Sequence, residues 1–87
     1  MKRDQVLVSH ILGCIDSIEQ YTLGLTKEGF LSSFMVQDAV TRNIEIIGEA
    51  SSKISKEIKD QHNQIPWRDI VAMRNILIHE YFRSDPE

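Results

Sequence analysis

The chain has 87 residues, 10 of them basic and 13 acidic, giving a formal net charge of −3 and a sequence pI near 5.5. A chain this short holds one domain at most and buries a limited share of its surface, so its stability alone is marginal. The acidic balance argues against coating nucleic acid through an overall positive field, but leaves room for a local basic cleft.

A single cysteine, Cys14, excludes an intrachain disulfide and suits a reducing compartment. Cys14 and three scattered histidines offer no paired zinc-ligand spacing. No run is long enough to span a bilayer, and MKRDQVLVSH has no uninterrupted apolar stretch of the kind a signal peptide needs. A cytoplasmic protein is expected, with a second copy of the chain supplementing a thin core.

From Asp4 to about Tyr21, apolar residues recur by threes and fours at Leu7, Ile11, Cys14, Ile15 and Ile18, which predicts a helix. TLGLTKEGFLS, with two glycines, reads as a connection containing one helical turn. A second, long helix is expected from about Ser33 to Asp60, with a stripe through Val36, Ala39, Val40, Ile44, Ile47, Ala50, Ile54 and Ile58. It would be roughly 40 Å long at 1.5 Å per residue. The polar run DQHNQ ends it, and Pro66 suits the first position of a third helix whose apolar surface is Trp67, Ile70, Val71, Met73, Ile76 and Leu77. The expected fold is all-α, an antiparallel helical bundle forming one domain over residues 1–87. The terminal RSDPE reads as the start of a loop, which leaves the last helix with little cover. A truncated chain and a bundle completed by another copy are the two expectations.

The stretch RNILIHEYF places a fixed cation (Arg74), a titratable imidazole (His79) and a phenol (Tyr81) within about two turns. Histidine can give or take a proton near neutral pH, and arginine can fork two N–H donors onto a phosphate. Together they are a sufficient minimum for cleaving RNA without a metal: one group moves a proton, the other stabilises charge building on phosphorus. The bland reading is a solvated cation and a histidine favoured by the negative end of a helix. On one ideal helix Arg74 and His79 point about 140° apart, whereas Asn75 and His79 share a face. Long side chains converging at a groove edge, an irregular helix, or a two-fold-related copy could each bring them together. The third also answers the stability problem.

The spacing R-N-I-L-I-H-E-Y resembles the R-x4-H-x-Y motif of HEPN-superfamily toxins of the HepT-like group. AVTRNIEIIGEASSKI (39–54) is similar to that group's long second helix, and IPWRDIVAMRNILIHEYF (65–82) to its Pro-Trp entry into the motif helix. The resemblance implies a small all-α homodimer (HEPN-like), cleaving RNA, either tRNA or mRNA, in a composite cleft without cofactor. It implies catalytic roles for Arg74 and His79 and a site-shaping role for Asn75. It makes Tyr81 the hydroxyl to which a minimal nucleotidyltransferase (MNT) antitoxin attaches AMP, silencing the toxin. The resemblance implies that the family usually continues past this point with a further C-terminal helix, which is expected to be absent here.

Arg42, Glu45 and Glu49 form a second constellation along one helical face. An intrahelical ion pair is the default reading; a polar strip lining the cleft or the interface is the functional one. His10 and His62 are expected in solvent, and Cys14 as a small apolar residue. Trp67 reads as a core anchor, since Arg68 is the one basic neighbour that could support base stacking. The rival functional reading, from a different class, is a non-catalytic helical module that binds a nucleotide or a protein; the acidic pI favours it.

Overall fold

The computed structural model describes residues 2–77, and every regular element among them is a helix. Helix α1 (Lys2–Thr22) turns Leu7, Ile11, Cys14 and Ile18 to a half-buried face, while Val6, Leu12 and Ile15 stay exposed. Its last residue folds back, the Thr22 hydroxyl donating to the Ile18 carbonyl at 2.8 Å. Gly24 then takes φ +71°, a left-handed conformation that favours glycine and reverses the chain.

The expected single turn is α2 (Lys27–Leu31), capped by Thr26, whose hydroxyl accepts from the Gly29 N–H at 2.9 Å. Ser33 caps α3 (Phe34–Ser52) in the same way, accepting from the Val36 N–H at 3.2 Å. The Gln37 amide ties the two helices together by donating to the carbonyls of Phe30 and Leu31, both at 3.0 Å.

The long second helix expected from Ser33 to Asp60 is two helices. Helix α3 stops at Ser52, Lys53 serves as its C-cap, and α4 (Lys56–Gln61) begins after Ser55. Ser55 accounts for the break, because its hydroxyl accepts from the Ile58 N–H at 3.3 Å in an N-cap rather than continuing a helix. Asp4 holds the corner from the other end of the sequence. Its carboxylate accepts from the Ser55 N–H at 3.0 Å and from the Ser55 hydroxyl at 2.7 Å. These bonds hold the Asp4 carboxyl below its ordinary value, the side-chain bond from Ser55 contributing most and the backbone bond next. Helix α5 (Trp67–Ile76) starts one residue later than the sequence suggests, with Pro66 as the N-cap.

Helix α3 is the centre of the bundle, packed by α1 and by α5, with α2 against it as well. Asp4 opens α1 yet meets Ser55 just past the end of α3, so these two helices run antiparallel. The buried apolar side chains among the described residues are Ala50 and Ile54, joined by the backbone of Gly48 and by Ser51 and Asp4. That core is small. Phe34 and Met35, at 78% and 80% exposed, leave substantial apolar surface in contact with water.

Candidate active site

The site is built where α5 crosses α3. A side chain at Gly48 would have no room, because a methyl there would overlap Arg74 Cβ, lie 2.8 Å from Arg74 Cγ and sit 3.3 Å from the Ile70 carbonyl oxygen. Gly48 therefore lets α5 lean on the backbone of α3, and the aliphatic stem of Arg74 fills the space. The Arg74 Nε atom is buried and has no hydrogen-bond partner among the described residues, as is also true of the Ser51 hydroxyl on the same face of α3. Further out, Arg74 Nη1 donates to Asn75 Oδ1 at 3.1 Å in an exposed position. One end of the guanidinium is thus fixed by packing and the other by a neighbouring amide. That bond uses one of its five N–H donors, and the remaining Nη donors can serve an anion.

Of the motif residues, Arg74 and Asn75 are joined by that hydrogen bond. His79 and Tyr81 lie outside the described residues. Of the second constellation, Arg42 and Glu45 form an ion pair at 2.9 Å, with the Arg42 side chain 68% exposed and that of Glu45 only 14%. Glu45 lies one turn from Gly48, toward the N-terminus of α3. Glu49 turns instead to Lys53 at 3.7 Å, so the three residues do not form one connected network. His10 and His62 are exposed, and Cys14 is half-buried on the α1 stripe. Trp67 is half-buried, and its indole N–H donates to the His62 carbonyl at 3.1 Å, which fixes the ring. Gly48 escaped the sequence reading, although a glycine inside a long helical pattern is itself the signal of a close approach. Among the described residues no three His, Cys, Asp or Glu side chains gather as a metal-ligand set. No helix among them is long and apolar enough to cross a membrane.

A sequence profile described as Ribonuclease HepT-like matches residues 11–87, a span that contains the whole of this site. The chain belongs to the HepT-like ribonuclease family. Among curated HepT-like relatives, a Thermococcus cleftensis protein named "Probable ribonuclease HepT" is 45% identical over 75 residues, covering 86% of this chain and 68% of its own length. A Caldanaerobacter subterraneus protein named "Putative RNase" is 37% identical over 82 residues, 94% of this chain and 73% of that one. A Methanocaldococcus jannaschii protein named "Gamma-glutamylcyclotransferase and putative RNase" is 44% identical over 86 residues. That alignment takes in 98% of this chain but only 39% of the relative, so the chain spans well under half of that protein. No solved structure matches the chain.

Proposed function

We propose that the protein is a metal-independent endoribonuclease, the toxin of a toxin–antitoxin pair. The observation that carries this reading is the seating of Arg74: its stem is wedged on Gly48 and its head is held by Asn75, within a family whose name is that of a ribonuclease. An arginine fixed in this way keeps a phosphate-binding fork in place without further ordering of its stem.

In this mechanism His79 takes the proton of a ribose 2′-hydroxyl as its oxygen attacks the adjacent phosphorus. The bond to the 5′-oxygen breaks, the proton held by His79 is passed to that oxygen, and a 2′,3′-cyclic phosphate remains. Arg74 stabilises the charge gathering on the phosphoryl oxygens, and Asn75 keeps the guanidinium aimed. Two copies of the chain form the cleft, so that Arg74 and His79 from each face one substrate strand. The exposed Phe34 and Met35 support such an assembly, because they supply apolar surface that a second copy can cover. Arg42 and Glu45 line the cleft edge near Gly48, and Glu49 lies on the same helix. Tyr81 is the off switch. AMP attached to its hydroxyl by a minimal nucleotidyltransferase antitoxin brings negative charge and bulk to the catalytic histidine, repelling and blocking RNA.

The test is cleavage of pooled tRNA and mRNA by wild type and by His79→Ala, both with EDTA. Cleavage by wild type alone, yielding cyclic phosphate ends, is the expected result. Equal cleavage by the variant removes His79 from the mechanism, and no cleavage by a folded wild-type dimer transfers the protein to the non-catalytic binding class.

A further inference from the structure

About two turns from Arg74, the end of α3, helix α4 and the start of α5 border an open cleft of about 390 Å³. Its walls are Ser52, Lys59, Trp67, Arg68 and Val71. In sequence Trp67 has only Arg68 beside it, but the α3–α4 corner brings Lys59 to the same cleft. The ion pairs among the described residues join Arg42 to Glu45, Lys53 to Glu49 and Lys56 to Asp60. Lys59 and Arg68 take part in none of them. The volume falls within the ~300–1,000 Å³ of clefts that hold small ligands.

We propose that this cleft is a subsite for single-stranded RNA, in which a base packs on Trp67 while Lys59 and Arg68 hold the flanking phosphates. The proposal rests on the ribonuclease reading and adds to it a place where the strand is held away from the bond that breaks. Each feature matches what single-strand binding needs. An aromatic face accepts any base, and a pair of cations follows the backbone without reading sequence. The indole is already oriented by its bond to the His62 carbonyl, so little side-chain freedom remains to be lost when a base docks. The alignment with Arg74 is also favourable. Seven residues separate Trp67 from Arg74 on α5, so the two lie only about 20° apart around the helix and ~10.5 Å apart along it. That distance is short enough for one bound strand to reach both the subsite and Arg74. The net charge of −3 does not prevent this, because two cations, Lys59 and Arg68, meet at the cleft itself.

Trp67 is the one tryptophan of the chain, so its fluorescence reports on this cleft without a label. The experiment titrates the full-length protein with a 2′-O-methyl oligouridine, which lacks the attacking hydroxyl and cannot be cleaved. Base-free polyphosphate is the control. Wild type should be quenched by the oligonucleotide and much less by polyphosphate. The double variant K59A/R68A should bind about tenfold more weakly and show a salt slope shallower by ~1.4, two contacts at ~0.7 each for a single strand. In cleavage of unmodified RNA the same variant should raise KM while leaving kcat unchanged. Absence of quenching in wild type overturns the subsite. So does equal quenching by polyphosphate, or unchanged affinity and KM in the variant. Wild type that binds but does not cleave overturns the ribonuclease reading alone, since the binding comparison still decides the subsite.

Discussion

Gly13→Ala and Gly48→Ala make the same chemical change in two helices, and only the first is expected to raise stability. Gly13 is exposed in α1, and a Cβ there meets nothing within 4 Å. Replacing a helical glycine by alanine gains about 0.8–1.0 kcal/mol from propensity, and that gain is common to both sites. At Gly48 the new methyl overlaps Arg74 Cβ and crowds the Ile70 carbonyl, a backbone atom that cannot rotate away. Overpacking of this kind costs about 1–3 kcal/mol. The net effect at Gly48 therefore runs from near zero to about 2 kcal/mol of destabilisation. Subtracting one variant from the other cancels the propensity gain and leaves the steric cost alone. Thermal unfolding at one fixed protein concentration resolves it, because 1 kcal/mol shifts Tm by about 4–8 °C in a domain of this size. Under the proposed mechanism, Gly48→Ala should also lower kcat with KM nearly constant, since the guanidinium is displaced at its root. Equal Tm shifts in the two variants would refute the close approach of α5 to α3, and with it the account of how Arg74 is positioned.

Asp4→Asn should change how stability depends on acid. The Asp4 carboxyl is held below its ordinary value of 3.8, so its contribution is present above that pH and is lost as pH falls through the lower folded-state value. Urea midpoints measured from pH 6 down to pH 2 should fall with acid less steeply in the variant than in wild type; parallel curves would show that the Ser55 bonds contribute nothing. Ser55→Ala removes the α4 cap and the one side-chain bond to Asp4, and should cost about 1 kcal/mol or more, read from the same midpoints. Tyr81→Phe should leave cleavage intact and make it resistant to a nucleotidyltransferase supplied with ATP. Incorporation of labelled AMP into the phenylalanine variant at the wild-type level would move the modification elsewhere.

Much of the architecture could be read from spacing alone. The threes and fours from Leu7 to Ile18 give α1, and the two-glycine stretch TLGLTKEGFLS gives a connection holding the short α2. The corner between α3 and α4 was hidden because Ile54 and Ile58 continue the apolar stripe of α3 at helical spacing, so periodicity reads straight through a real break. Only Ser55, a strong N-cap residue, marked it, and its decisive partner Asp4 is 51 residues away. No local pattern can report a bond of that span. Lys59 shows the same limitation in the candidate RNA cleft: eight residues before Trp67 and on another helix, it becomes a neighbour only once the chain turns. The motif resemblance singles out Arg74 and Asn75 as candidates, but the reason Arg74 is fixed lies in Gly48, a residue with no side chain to suggest it.

The small core links stability to the proposed activity. Ala50 and Ile54 are the buried apolar side chains among the described residues, while Leu12, Leu31, Phe34 and Met35 are all more than half exposed. If a second copy covers part of that surface, association stabilises the fold by mass action, and the gain grows with protein concentration. Under the proposed function, the same association would complete the cleft to which each copy supplies Arg74 and His79. Dilution should then reduce specific activity and Tm together, with a common midpoint. A cleft formed within one chain would instead keep its specific activity as Tm fell. The joint between α3 and α5 distinguishes these cases at the level of residues, because Gly48 and Arg74 belong to the same chain. Substitution there should damage activity at every concentration, whereas substitution of Phe34 should damage it only below a concentration that a higher protein dose restores.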